Sequence, residues 1–517
     1  MSKIVSIITI IMFVLIAGAS PSVVRAGIMA IILVFSKLLS KNPNTLSTIS
    51  FTALIMLIIN PFILCDIGFI LSFGGTIGIV LLSKRINFKI SERYVLFNNN
   101  NIFKIILETF SVTLSAQLIL FPIMCYYFNT VSLISILTNL LVCPFVEFIT
   151  ILGLILYILS LIFFPLAKLI AYVLITLISF LISISSFCSS LPFANILITT
   201  PKFFHIVLYY IILMKIFNRK SVLKSDRISR NILNLISLLI ILNIILSAYI
   251  PKNYIEVNFI DVGQGDSIHI KTPHGKNILI DGGGSEGSDY DIGEKVLIPY
   301  ILDNTNGIID VIFISHFHED HVEGIISLLK KIKVNKIIIG IQNELNNLYF
   351  EVLDIAAKKN IPIITLKANE EIIIDEAKFK ILYPKAKVED NNLNNSSLII
   401  KGNFYNTSIL FTGDSELEEE INLIKMYKNN PNILKCDLLK VGHHGSKTSS
   451  SNNFLSIIKP SISIISCGID NKFGHPNETT LCNLNNIKSK IYRTDINGEI
   501  MLKIYKDKVK INTMVND

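Results

Sequence analysis

Nine apolar runs fill the first 250 residues, at about 3–19, 22–39, 47–63, 67–83, 103–127, 130–163, 165–187, 203–217 and 231–250. A soluble helix would confine its apolar residues to one stripe and leave a charged face between stripes. These runs have almost no charged positions. A bilayer core of about 30 Å is crossed by about 20 helical residues, and several runs reach that length. The pattern predicts a polytopic α-helical membrane domain. After Pro251 the apolar runs become short, and glycine, aspartate, asparagine or histidine closes each one. Examples are Asn258 to Ser267 (NFIDVGQGDS), Asn277 to Gly284 (NILIDGGG), Ile308 to Ile314, Ser408 to Phe411, Asp437 to Lys447 (DLLKVGHHGSK) and Ser461 to Cys467. This pattern predicts buried strands of an α/β sandwich that deliver polar residues at their ends.

Charge divides at the same seam, near Ile250-Pro251-Lys252. Residues 1–250 hold 17 Lys and Arg against five Asp and Glu, whereas 251–517 hold 30 against 34. We therefore place two domains at 1–250 and 251–517. Within the first, Lys84, Arg85, Lys89, Arg93 and Lys104 form one basic loop, and Lys215, Arg219, Lys220, Lys224, Arg227 and Arg230 form another. Such loops stay in the cytoplasm. Four crossings between them satisfy this when 130–163 counts as one crossing with a broken or re-entrant half at Pro144. The span 231–250 then leaves the membrane and puts residues 251–517 on the extracytoplasmic side. The first run, with Lys3 as its only preceding charge and no cleavage pattern, reads as a retained helix.

A few polar residues interrupt the membrane runs. Arg25, Gln117 and Glu147 are candidates for a water-filled path, because polar groups are costly in lipid. Gly74, Gly75 and Pro122 read as close packing and a kink. The seven cysteines show no framework or metal spacing. No phosphate-binding loop is present, so movement through the membrane must be driven from elsewhere.

The densest chemistry is Ser315 to Gly324, SHFHEDHVEG, at the end of the strand Ile308 to Ile314. In this HxHxDH arrangement a tight turn directs His316 and His318 to one metal ion, and Asp320 and His321 to a second. Asp414, at the end of the strand running into Thr412-Gly413-Asp414, can bridge two cations, and His443 and His444 sit at another strand end. Two ions would clamp an attacking hydroxide and a leaving oxygen, which is hydrolase chemistry. His475 is a candidate for a proton donor or a phosphate contact.

These motifs, DVGQGD, ILIDGG, HxHxDH, FTGD and VGHHGS in this order, resemble the metallo-β-lactamase superfamily. They look specifically like the C-terminal domain of the ComEC family of competence DNA channels. SPSVVRA, GFILSF and AQLILFPIMCYYF in the membrane half are similar to the same family. The resemblance implies a membrane channel domain followed by a metallo-β-lactamase-like αββα sandwich. It implies His316 and His318 on the first ion, Asp320, His321 and His443 or His444 on the second, and Asp414 bridging, with zinc or manganese as the metal. One departure is the lack of a histidine between His321 and Asp414. Asn394, Asn395, Ser396 and Ser397 stand there, so the first ion is expected to bind weakly. Asn395, Ser446 and Lys447 are expected to contact substrate. Lys440, Lys447, Lys472 and Arg493 are expected to offset the acidic charge of this half toward a polyanion. Family members begin with further helices and a small β-barrel that this sequence does not display, an expectation of a short variant or a fragment.

Three readings follow. The favoured one is DNA uptake across the cytoplasmic membrane, with an external metal-dependent nuclease degrading one strand. DNA-delivery proteins and a cytoplasmic motor would be its partners. The second is a membrane-anchored hydrolase of small or envelope phosphodiesters, and the third a non-catalytic DNA channel.

Overall fold

Helices form wherever the apolar runs predict them. The computed structural model describes residues 2–39, 44–93, 101–217, 227–285, 287, 290–342, 346–386 and 392–515. Its first half contains α1 (Ser2–Ile16), α2 (Pro21–Leu38), α3 (Thr45–Ile59), α4 (Ile67–Arg93), α5 (Asn101–Phe128), α6 (Ser135–Ile162), α7 (Phe164–Ser190), α8 (Phe203–Phe217) and α9 (Arg227–Tyr249). Five of the described helices, α2 and α4 to α7, are long and apolar enough to cross a membrane. No residue of α6 is buried, and α7 buries only Ala167 and Cys188. Helices that are apolar all round and exposed need lipid as their solvent.

Two expectations about these helices change. Lys84, Arg85, Lys89 and Arg93 lie on the last turns of α4 rather than in a loop. Pro144 does not break the run 130–163, because α6 continues through it as one helix. Arg219, Lys220 and Lys224 of the second basic cluster lie outside the described residues.

Close packing joins α4 to α5. A Cβ at Gly78 would lie 2.6 Å from the Ser115 carbonyl oxygen, so only glycine lets the helices approach. Pro122 removes the amide that would bond the Leu118 carbonyl. The Tyr209 hydroxyl of α8 donates to that carbonyl at 2.7 Å, and Tyr210 donates to the Ile119 carbonyl at 2.8 Å. The chain forms two compact units, 1–244 and 245–517.

The second unit is an αββα sandwich. Short strands at Thr130–Val131 (β1) and Ile196–Leu197 (β2) belong to the membrane half. The first sheet contains β3 (Ile255–Phe259), β4 (Ile268–Lys271), β5 (Asn277–Ile280), β7 (Val311–Ile314), β9 (Ile337–Ile339), β10 (Ile363–Thr365), β18 (Ile500–Ile504) and β19 (Val509–Thr513). Its order is β10-β9-β7-β5-β4-β3-β18-β19, while β6 (Ile308–Ile309) and β8 (Lys333–Val334) pair separately. The second sheet runs in chain order through β11 (Glu371–Ile374), β12 (Ala377–Tyr383), β13 (Ile399–Phe404), β14 (Thr407–Phe411), β15 (Leu438–Lys440), β16 (Ile462–Ile465) and β17 (Lys490–Arg493).

Apolar side chains from both sheets meet in one core, among them Phe259, Ile278 and Phe313 facing Phe379, Ile400 and Phe411. Helix Glu319–Lys331 covers the first sheet through Val322, Ile325, Leu328 and Leu329. Leu439 and Val441 of the second sheet form an outer core with Phe454, Leu455 and Leu484 from its covering helices. In both sheets the strands nearest the site run parallel: β5 with β7, and β14 with β15 and β16. Parallel strands end at one edge, and ligands bind beyond those carboxyl ends.

Candidate metal centre

Local backbone geometry delivers the site residues. The chain leaves β7 at Ile314 and enters helix Glu319–Lys331 within five residues, so His316, His318, Asp320 and His321 crowd the helix start. Gly265 has φ +122°, and a Cβ there would overlap the Asp320 carbonyl oxygen. A Cβ at Gly324 would overlap the Gly282 carbonyl oxygen. The glycines of DVGQGD and ILIDGG thus bring both loops onto the HxHxDH turn. Three other site residues are held at left-handed φ without being glycine: Asp281 at 56°, His443 at 48° and His444 at 52°. Each such residue costs about 1–3 kcal/mol, a strain that clusters at functional sites.

Four groups converge. Asp414 Oδ1 lies 3.2 Å from His321 Nε2, Asp414 Oδ2 lies 3.3 Å from His444 Nε2, and Asp320 Oδ2 lies 3.2 Å from His444 Nε2. A tetrahedral ion with bonds of about 2.0–2.1 Å has ligands about 3.3 Å apart, so these separations are those of a chelating set. His321 Nε2, His444 Nε2 and Asp414 Oδ1 are buried and accept or donate no hydrogen bond. The opposite ring nitrogens are occupied. His444 Nδ1 donates to the Ser466 carbonyl at 3.0 Å, and His321 Nδ1 faces Asp281 Oδ2 at 3.0 Å. Such outer contacts fix ring orientation and turn the Nε2 lone pair inward.

Electrostatics favours positive charge here. Burial opposes ionisation of His321, but Asp414, Asp320 and Asp281 outweigh it and hold the ring well above its ordinary value. Burial likewise opposes charge on His444, which Asp414 and Asp266 push up to about 10. Asp414 is driven well below the usual carboxylate range despite its burial, by His444 and His321. A divalent cation at these ligands answers the same field with the rings neutral, so the residues present fit a metal.

Among the described residues, the groupings of three or more that could hold an ion are Asp320, His321, Asp414 and His444, and Asp266, Asp281 and His321. His316 Nε2 and His318 Nδ1 approach to 3.1 Å, a two-ligand pair. Asn395 donates its amide to Glu418 at 3.2 Å, and Ser397 Oγ accepts from the Asp414 amide at 3.2 Å.

Of the paired histidines, His444 enters the cluster. His443 stands 3.9 Å from Asp414 and faces Glu416 at 3.0 Å through Nδ1. His475 has its ring 5.6 Å from that of His443 and 6.3 Å from that of His444, with Gln264 Nε2 at 3.5 Å. Burial, then His444 and His443, push it down to about 4. Ser446 is buried and bonded to Thr448, whereas Lys447 is exposed. A cleft of about 440 Å³ opens over the centre, lined by residues that include His318, Asp320, Asn346, Asn394, Asp414, His443 and Phe473.

Two residues of the expected basic patch are committed elsewhere. Lys440 is 1% exposed; its ammonium contacts Asp266, donates to the Gly413 carbonyl at 3.0 Å and lies 3.8 Å from Asp414. Arg493 forks onto Asp495 at 3.0 and 2.5 Å. Asp266, Asp281 and Glu416 are the site residues that the sequence reading left without a role, and Lys440 was expected in a surface patch rather than inside the site. The available signals were the carboxylates of DVGQGD and ILIDGG, and a lysine inside an apolar strand.

The channel candidates lie apart in their contacts. Arg25 donates to Ser72 at 2.5 Å and Thr76 at 2.6 Å, Gln117 donates to Ser135 at 2.7 Å, and Glu147 is exposed on α6.

Residues 1–222 match the family described as Competence protein, and residues 260–469 match the metallo-beta-lactamase superfamily. The chain is 29% identical to ComE operon protein 3 of Bacillus subtilis, over 96% of this chain and 63% of that protein. It is 28% identical to Recombination protein 2 of Haemophilus influenzae, over 56% of this chain and 34% of that protein. It is 27% identical to Competence protein ComA of Neisseria gonorrhoeae, over 50% of this chain and 34% of that protein. The chain therefore spans less than two thirds of the length of each of these relatives.

Proposed function

We propose that this chain, which belongs to the ComEC family of competence proteins, takes up DNA across the cytoplasmic membrane. In this reading the metal centre hydrolyses phosphodiesters of one strand outside the membrane, and the helical domain conducts the other strand. The observation that carries the reading is the convergence of buried, unbonded ligand atoms from His321, Asp414 and His444, with the partly exposed Asp320 carboxylate beside them, at the carboxyl edge of two sheets.

The residues divide the work. His321 and His444 present Nε2, Asp320 and Asp414 present carboxylate oxygens, and Asp281 and Ser466 hold the rings from behind. The first four of these residues would hold a zinc or manganese ion, which would supply Lewis acidity and an activated water for phosphodiester hydrolysis. Lys440 anchors Asp266 and the Gly413 carbonyl beside Asp414. His475 serves as a contact to a phosphate oxygen or to the leaving group. The full ligand set would hold one ion tightly and the His316–His318 pair a second weakly, so nuclease activity should rise with added metal.

The external placement of residues 251–517 rests on the basic clusters and on reading α5 to α8 as four crossings between them, α8 being an apolar helix of 15 residues, shorter than the five spans above. A cysteine at exposed Asn453 is a better probe than one at Ser446, which is 6% exposed. With Cys482→Ser as background, an impermeant thiol reagent should label the Asn453 site on permeabilised-wall cells and not a cysteine at Ser221. Labelling at Ser221 alone would put the hydrolase inside and end the uptake reading.

The functional test uses a transformable host deleted for its own copy. Asp320→Ala should stop uptake of double-stranded DNA and spare single-stranded DNA, which needs no strand removed. Gln117→Leu or Glu147→Leu should block both while leaving nuclease activity of the purified chain intact. Equal loss of both DNA forms in the Asp320 variant would withdraw the nuclease role.

A further inference from the structure

The wall of the metal cleft carries an aromatic ring that metal binding does not need. Phe473 lines the cleft with His318, Asp320, Asp414 and His443, yet 46% of it is exposed. Its turn is braced. Asn471 accepts from the His475 amide at 2.9 Å and donates to the carbonyls of Gly468 at 2.9 Å and His475 at 2.5 Å. The ring lies nearly parallel to that of His475, at 5.8 Å and 22°, and the Lys472 ammonium sits 5.0 Å from its centroid. A rigidly presented, solvent-facing ring with a cation on it, beside a phosphodiester-cleaving centre, has the chemistry of single-strand binding grooves.

We propose that Phe473 is a stacking platform for an unpaired nucleobase next to the scissile phosphate, with Lys472 passing from the ring to that phosphate. This rests on the nucleic-acid reading of the metal centre and names its substrate as an unpaired strand. Every base has a π face, so the contact is blind to sequence. A paired base stacked within a duplex presents no free face, so a duplex end must fray before it is cut.

The chain contains no tryptophan. Phe473→Trp therefore places a single reporter in the cleft. The detergent-solubilised full chain, loaded with Mn²⁺, is titrated with a cleavage-resistant phosphorothioate oligothymidylate and with an abasic oligomer of equal length and charge. Trp emission should be quenched saturably by the thymidylate and not by the abasic oligomer. Phe473→Ala should weaken thymidylate binding about tenfold, leave abasic binding and metal content unchanged, and be rescued by Phe473→Tyr. Equal quenching by both oligomers, or equal weakening of both by Phe473→Ala, would overturn the stacking proposal. Nuclease activity with a silent reporter would overturn stacking alone. A wild-type chain that binds metal but neither cleaves nor binds either oligomer would overturn the nuclease reading as well.

Discussion

In the membrane half, the buried or half-buried polar groups that interrupt the helices find local partners. Arg25 rests on two hydroxyls, Gln117 on a third, and the carbonyl freed by Pro122 on Tyr209. In the metallo-β-lactamase-fold domain the reverse holds. Ring nitrogens and carboxylate oxygens from three separate loops are buried together and left without hydrogen bonds. A satisfied polar group stabilises the fold around it, whereas a convergent unsatisfied set is costly unless a ligand completes it. The contrast separates polar groups satisfied within the fold from polar groups left for a ligand, and mutation should separate them too.

The largest effect should follow loss of a ligand at the centre. Asp414→Ala removes the group that faces both His321 and His444, and should lower metal content and abolish cleavage of a labelled oligonucleotide by more than about a hundredfold. Asp281→Asn, at the carboxylate that faces His321 Nδ1 and accepts from the Ser315 amide, should cost about 10–100-fold in metal affinity. Elemental analysis with a Mn²⁺ titration checks both. An Asp414 variant that retains full activity would remove the proposed centre.

The next effect concerns the buried Lys440–Asp266 pair. Removing one partner of a buried ion pair costs about 3–5 kcal/mol, because the other charge is stranded. Lys440→Met should therefore destabilise the domain strongly, and adding Asp266→Asn should recover much of the loss. Denaturant unfolding of the four chains in that cycle measures the coupling. Additive losses would mean that Lys440 is held by packing alone.

That lysine also shows what could be read from the sequence. The histidines and aspartates at strand ends were legible, because a short apolar strand closed by a polar motif has few soluble alternatives. Burial of Lys440 was written in DLLKVG, a lysine within a parallel strand covered on both faces, where a surface role is the wrong expectation. The choice of His444 over His443 was not legible. It depends on two successive left-handed residues, which aim neighbouring rings in different directions, and no periodicity encodes that. In the membrane half, hydropathy marked where lipid ends and not where the helix ends, so α4 continues to Arg93 beyond the apolar run. Pro144 read as a break, but a transmembrane helix tolerates proline when its freed carbonyl finds another partner.

A smaller effect, dependent on pH, comes from His269. Its ring is fully buried, with Tyr300 at 3.3 Å from Nδ1 and Asn277 Oδ1 at 3.3 Å from Nε2, and burial pushes it down to about 4. Below its ordinary value of 6.5 the unfolded chain takes up a proton that the folded chain refuses. Stability from this group is therefore complete above pH 6.5 and falls as pH drops toward 4, by at most about 3 kcal/mol. His269→Gln should flatten that part of the stability profile relative to the parent chain. An unchanged slope would place the acid sensitivity in the carboxylates.

The smallest effect tests the membrane side of the contrast. If the Tyr209 hydroxyl answers the carbonyl that Pro122 frees, the two residues should be coupled. Pro122→Ala restores an amide at position 122, which can bond the Leu118 carbonyl within the helix and leaves the hydroxyl redundant. Tyr209→Phe should therefore cost more in the parent chain than in the Pro122→Ala background. Hydrogen bonds between membrane helices average about 0.6 kcal/mol in such cycles, and a coupling of that order is expected here from unfolding in mixed micelles. A coupling near zero would mean that the hydroxyl bonds the Leu118 carbonyl for reasons unrelated to the proline.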